Sequence, residues 1–175
     1  MALQPTHYGF LAVGGGGRTH LAGLLVTDAL GLPIEFVHTE PFAPTRLQRA
    51  LIGDSLKRYL KQERVITSLL RLAEKQPALV AVDDEELLPM VPKRIPGVLV
   101  SAGTATGVRA GGELARTTDG DLVARAPGGR VLRLRLAGES SEALLAGAVR
   151  QLDLLEPLAR VRAALTVVAS DHKAA

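Results

Sequence analysis

Five residues, Ala78-Leu-Val-Ala-Val82, constrain this chain more than any others. They form an unbroken apolar run with Pro77 in front and the acids Asp83-Asp-Glu-Glu86 behind. A run this short, closed by a proline on one side and charge on the other, fits a strand covered on both faces. Such a strand needs neighbours on either side and helices above and below. The other 170 or so of the 175 residues must supply them; 47% of the chain is hydrophobic and 22% charged, the balance of a packed domain rather than a disordered one.

Candidate neighbours are easy to find. Tyr8–Val13, His20–Thr27 and Ile34–Thr39 are three short apolar or alternating runs. Gly14–Gly17, the Asp28 to Pro33 loop and Pro41 punctuate them, so they read as an antiparallel meander. Pro44 is expected at the first position of a helix whose stripe is Leu47, Leu51, Leu56 and Leu60, with Gly53-Asp54 as a stop and a fresh cap. A second helical stretch, Glu63 to Lys75, spaces Val65, Ile66, Leu69, Leu70 and Leu72 helically. After Val82, a short helix over Glu85–Val91 and a second buried strand, Gly97–Ser101, are expected.

From residue 102 to 136 the composition shifts to Gly, Thr and Arg. Turns at Asp119-Gly120 and Pro127-Gly-Gly129 separate candidate strands Glu113–Thr117 and Asp121–Arg125. Val131–Leu136 alternates strictly, with Arg133 and Arg135 on its polar face. This is a β-ribbon, either an extension of the sheet edge or a flap. A final helical region, capped by Ser140 or Ser141 beside Glu139 and Glu142, runs to about Val168 and is broken at Pro157.

The expected fold class is therefore α/β with an α+β-like meander start. It is a single mixed sheet of element order βββαβαβ, with a β-ribbon insertion at 102–136 and C-terminal helices, all in one domain, 1–175. That order of elements resembles the ribonuclease H type of fold over most of residues 8–168. The resemblance implies a two-metal site with one acid from the first strand, one from the first helix and one after the fourth strand. Asp83 matches the last. The first strand, Tyr8–Val13, carries no acid, and the first helix offers Gln48, with Asp54 and Glu63 as alternatives.

The residues themselves supply few reactive constellations. There is no cysteine, so no disulfide framework and no thiolate metal site. The Gly14–Gly17 run lacks the spacing and the following helix of a phosphate-binding loop and reads as a hairpin connection. None of His7, His20, His38 and His172 has the i, i+4 partner of a helical zinc site, although His20 and His38 fall on neighbouring candidate strands and Glu40 follows close on His38. No serine sits in a nucleophile elbow, and Ser101-Ala-Gly-Thr104 is at most a cleft lining. Asp83 and Asp84, at the carboxyl end of the central strand, are the candidate ligands for a divalent cation, Mg²⁺ or Mn²⁺.

Charge is the remaining signal. Net charge is +3, but residues 46–75 hold eight bases against three acids, and residues 101–136 hold six arginines against three acids. Arg109, Arg116, Arg125, Arg133 and Arg135 are the ribbon candidates for contact with a nucleic-acid backbone. Five aromatic rings and no Trp argue against base stacking as the means. The composition looks bacterial. With no apolar run of roughly 20 residues and no basic leader at Met1–His7, a cytoplasmic protein without membrane contact is expected.

Three functional expectations result. The main one is a non-catalytic binding or assembly protein, acting through a protein partner or through self-association; it rests on the missing catalytic sets and on an aliphatic C-terminal surface of Leu154, Leu158, Val161, Leu165 and Val168. The second is a nucleic-acid-binding module on a ribonuclease H-like core. The third is a phosphodiesterase using Asp83 with Mg²⁺. No cofactor is expected under the first two.

Overall fold

A computed structural model describes residues 6–15, 19–53, 55, 66–104, 107–137 and 142–174. Its strands are β1 (Tyr8–Gly14), β2 (Leu21–Thr27), β3 (Pro33–His38), β4 (Leu79–Val82), β5 (Gly97–Ala102), β6 (Leu114–Arg116), β7 (Leu122–Arg125) and β8 (Val131–Ala137). Its α-helices are α1 (Arg46–Ile52), α2 (Ile66–Leu72), α3 (Glu142–Gln151) and α4 (Leu155–Ala174).

All eight strands join one sheet in the order β3-β2-β1-β4-β5-β8-β7-β6. The apolar run at 78–82 is the central strand β4, parallel to β1 on one side, with Phe10 level with Ala81, and to β5 on the other, with Ala81 level with Val98. β1, β2 and β3 form the expected antiparallel meander. The ribbon is not a flap: β8 pairs antiparallel with β5 over six residue pairs, and β7 and β6 continue the sheet beyond it. The fold is thus a mixed α/β sheet with helices, as the element order requires.

Side-chain alternation sorts the core into two layers. On one face, Phe10, Leu79, Val98, Leu132 and Leu134 pack with Leu145, Val149, Leu154, Leu158 and Leu165 of the C-terminal helices and their link. Gly23 allows α4 this close, because a Cβ there would lie 3.0 Å from both Leu165 and Phe36. On the other face, Leu11, Leu24, Val80 and Val82 pack with Leu69 and Leu70 of α2 and with Leu87 and Val91. Each such side chain contributes about 1.5–3 kcal/mol on burial.

Several expectations are corrected. The first helix begins two residues later than Pro44 predicts, at Arg46. Thr45 is its N-cap: the Thr45 hydroxyl accepts from the Gln48 amide at 3.1 Å, and the Gln48 side-chain oxygen accepts from the Thr45 amide at 2.8 Å. Leu47 and Leu51 do not face the core but are 67% and 76% exposed. The rest of that stripe, Leu56 and Leu60, lies outside the described residues, as do Asp54, Lys57, Arg58, Lys61, Glu63, Arg64, Val65, Glu139, Ser140 and Ser141. Residues 85–91 hold only a 3₁₀ turn, Leu88–Met90, with Pro89 inside it. The C-terminal break falls before Pro157, at 152–154. The Asp153 carboxylate accepts from the Leu155 amide at 3.2 Å, and Pro157 sits in the first turn of α4, where no intrahelical donor is required.

The aliphatic C-terminal surface is also accounted for within one chain. Leu154, Leu158, Val161 and Leu165 are buried against the sheet and Val168 packs against the same cluster, which leaves Val167 as the exposed large aliphatic of α4. Covering this helix needs no second copy.

Candidate functional site

The carboxyl end of β4 is where the fold would assemble a metal site, and Asp83 stands there. Its face follows from alternation: Leu79 and Ala81 point to the C-terminal helices, and Asp83 continues that row. There it meets Arg162 of α4. The two guanidinium nitrogens of Arg162 donate to the two Asp83 oxygens, Nη2 to Oδ1 at 2.5 Å and Nη1 to Oδ2. The Asp83 side chain is only 12% exposed, so both carboxylate oxygens are occupied in a largely covered position. A fork-to-fork arrangement of this kind is the strongest geometry an arginine and a carboxylate can adopt.

The groups around Asp83 do not fit a pair of divalent cations. Continuing the β1–β4 register by two residues sets Ala12 level with Asp83, so a methyl group stands where the first strand's acid would be needed. Gln48 has its side-chain oxygen engaged in the cap of α1. Asp84 turns away from Asp83's role: its Oδ1 accepts from the Glu86 amide at 3.0 Å and closes the turn after β4. Among the described residues no three His, Asp or Glu side chains cluster as metal ligands. A cation at Asp83 is instead supplied by the chain itself, as Arg162.

The ribbon arginines are mostly engaged too. Arg133 and Arg135 lie two residues apart on the same face of β8, and both reach Asp121 at the start of β7. Arg133 Nε donates to Asp121 Oδ2 at 2.6 Å and its Nη2 to Asp119 at 3.0 Å. Arg135 Nε donates to Asp121 Oδ1 at 3.0 Å, and its Nη1 to Glu85 at 2.6 Å. Asp121 is the one buried carboxylate of the described residues. The hydrogen bonds from Arg135 and then Arg133 hold its carboxyl below the ordinary value of 3.8, and Asp121 in turn raises both guanidiniums. Arg116 pairs with Glu142 and donates to the Gly120 carbonyl at 3.0 Å. Arg125 donates to the carbonyls of Val108 at 2.8 Å and Gly129 at 2.9 Å, fastening the loop before β6 to the β7–β8 turn. Arg109 is exposed, and its backbone amide donates to Glu113.

The other candidates stay apart. His38 is exposed, bonded through Nδ1 to the Thr39 carbonyl at 2.9 Å, and stacked obliquely on Phe36. His20 bridges to Phe42 across the backbone. Ser101 is a ladder residue opposite Arg133. The glycine run begins in β1 and the chain re-emerges at β2, its antiparallel partner, which makes it a hairpin connection; residues 16–18 are outside the description. Two residues escaped the sequence reading: Arg162, one of the two bases flanking the buried Val161 in a helix read only for its apolar face, and Asp121, whose signal was the pair of arginines on the next strand.

Sequence comparison finds no matching family model and no matching curated protein. Structural comparison does find matches. The chain is similar to endonuclease V from Streptomyces avermitilis, at TM-score 0.62 and 14% identity over 99% of this chain and 88% of that one. It is similar to the Bacillus subtilis endonuclease V, at TM-score 0.59 and 12% identity over 98% and 83%. A third match is Ciona intestinalis endonuclease V in complex with a 24mer DNA containing an inosine followed by a ribo-adenosine, at TM-score 0.54 and 11% identity over 85% and 77%. These likenesses show the fold, a mixed α/β sheet with helices like that of the endonucleases V, consistent with the ribonuclease H-like order of elements. The main expectation, an assembly protein working through a protein partner or self-association, does not stand: the fold neighbours are nucleic-acid enzymes, and the helix surface that motivated a second copy is inside the core. Among the described residues no helix is long and apolar enough to cross a membrane.

Proposed function

We propose that this chain binds nucleic acid on an endonuclease V-like core and does not cut it by two-metal chemistry. The observation that carries the reading is the Asp83–Arg162 pair at the carboxyl end of β4, with Ala12 beside it, in a fold whose neighbours are endonucleases V. Hydrolysis assisted by two cations needs several carboxylates to balance the ions' charge. Here, among the described residues, one carboxylate remains at that position and a guanidinium already neutralises it. Binding needs less: cations that reach a phosphate backbone, whether from the ribbon, where Arg109 is exposed, or from elsewhere on the surface. The chain acts as one domain, in the cytoplasm, with nucleic acid as its partner.

The test is a pair of measurements on the same sample. Labelled DNA and RNA strands, with and without inosine, should be retained by the wild-type protein. Retention should fall at least tenfold between about 50 and 200 mM salt. No strand should be shortened in Mg²⁺ or Mn²⁺. Metal-dependent scission lost in Asp83→Asn would overturn the non-cleaving part, and absence of any retention at low salt would overturn the binding part.

A further inference from the structure

The described bases differ in what holds them. On the ribbon, Arg116, Arg125, Arg133 and Arg135 are tied to Asp121, Asp119, Glu85, Glu142 or backbone carbonyls. Three others, Arg71, Lys93 and Arg94, are exposed, and their side chains meet no acceptor or carboxylate among the described residues. They are brought together by the fold. Arg71 is in the last turn of α2, and Lys93-Arg94 lie in the link that ends at β5. All three line one cleft of about 340 Å³, floored by Leu70, Met90 and Val91, with no acid among the described residues of its wall.

The position of this cleft is as informative as its charge. The link 92–96 closes onto the start of β5, where the Val80 amide donates to the Pro96 carbonyl and the Ile95 amide to the Pro92 carbonyl. The cleft therefore sits at the amino end of the parallel strands, on the α2 face. Asp83 and Arg162 sit at the carboxyl end, on the α4 face. An anion entering the cleft meets neither.

We infer that the Arg71–Lys93–Arg94 cleft holds the phosphodiester backbone of a nucleic-acid strand, an inference that rests on the proposed nucleic-acid binding. Two guanidiniums can each grip a phosphate with paired N–H groups, and the lysine adds a point charge between them. The apolar floor accepts the sugar face. Among the described residues no aromatic side chain lines the cleft, which favours recognition of the backbone, independent of sequence, over base stacking.

Fluorescence anisotropy with a labelled single strand of about 30 nucleotides, as DNA and as RNA, tests this across a salt series. Arg71→Gln, Lys93→Gln and Arg94→Gln combined should weaken binding at least tenfold and reduce the salt slope by about 2. Arg94→Gln alone should reduce the slope by about 1 or less, which keeps the test open if the triple variant folds poorly. Arg71→Lys with Arg94→Lys should keep the wild-type salt slope, since the charge is kept, while losing several-fold in affinity with the paired N–H grip. Inorganic tripolyphosphate should displace the strand, and polyglutamate of equal charge should not. If the wild type binds and the glutamine variants bind with unchanged affinity and slope, the cleft is not the site, while nucleic-acid binding itself stands. If polyglutamate displaces the strand as well as tripolyphosphate does, the cleft takes acidic peptide and the inference fails. If the wild type binds neither DNA nor RNA, the functional reading fails first and takes this one with it.

Discussion

The two halves of the sheet handle their second face in different ways. β2, β1 and β4 are apolar on both faces and buried on both, under the C-terminal helices on one side and α2 on the other. β8 and β7 bury Leu132, Leu134, Leu122 and Ala124 on the helix side, and their opposite face carries Arg133 and Arg135, with Asp121 and Asp119 from the turn before β7, and Val123 as its buried apolar residue. One half is closed by aliphatic packing and the other by a shared carboxylate. The arginines that make the ribbon look like a backbone-binding surface are there because an uncovered sheet face must be polar, and an acid between two arginines is what keeps that face in register. Arg71, Lys93 and Arg94, which no side-chain hydrogen bond or ion pair ties to a described residue, contribute nothing comparable to the fold. Charge in a sequence and charge available to a ligand are different quantities, and hydrogen-bond partners separate them.

Three substitutions test this division. Leu24→Ala, in the doubly covered half, should cost about 2–5 kcal/mol by chemical denaturation, a fall in Tm on the order of 10 °C. A cost under about 1 kcal/mol would mean that the α2 layer does not close over β2. Asp121→Asn, in the open half, should lower Tm at pH 7 by a few degrees, because Arg133 and Arg135 lose their common partner. This difference has a defined pH dependence. The Asp121 carboxyl titrates below 3.8 in the folded chain, so its contribution is complete above that value and is lost as pH falls through the folded pKa. The wild-type and asparagine curves should therefore converge below about pH 4, and a gap that persists unchanged to pH 2 would show that the carboxylate is not held by the arginines. The smallest effect belongs to Arg94→Gln, which should leave stability within about 0.5 kcal/mol of wild type; a larger loss would place Arg94 in the fold rather than at its surface.

Much of the architecture was readable because it is local. A run of five apolar residues between a proline and four acids has few alternatives to a central strand, and Val131–Leu136 alternates so regularly that its buried face could be named. The failures are also physical. Pro157 looked like a break but occupies a helix's first turn, where its missing donor is harmless. Leu47 and Leu51 keep helical spacing yet are exposed, since periodicity says which residues share a face and not what covers it. The Asp83–Arg162 pair joins residues 79 apart, and no spacing rule links a lone base late in the chain to an acid in its middle. The acid's location was legible; its engagement was not.

The two outer strands carry a consequence of their own. β3 starts at Pro33, which has no amide hydrogen to offer, and a register shift opposite it disturbs the pairing with β2; β6 is three residues long. Neither rim presents a long, flat row of unmatched amides and carbonyls, so a ninth strand from a neighbouring molecule finds no template to extend, and the protein can tolerate crowding without zippering into fibrils.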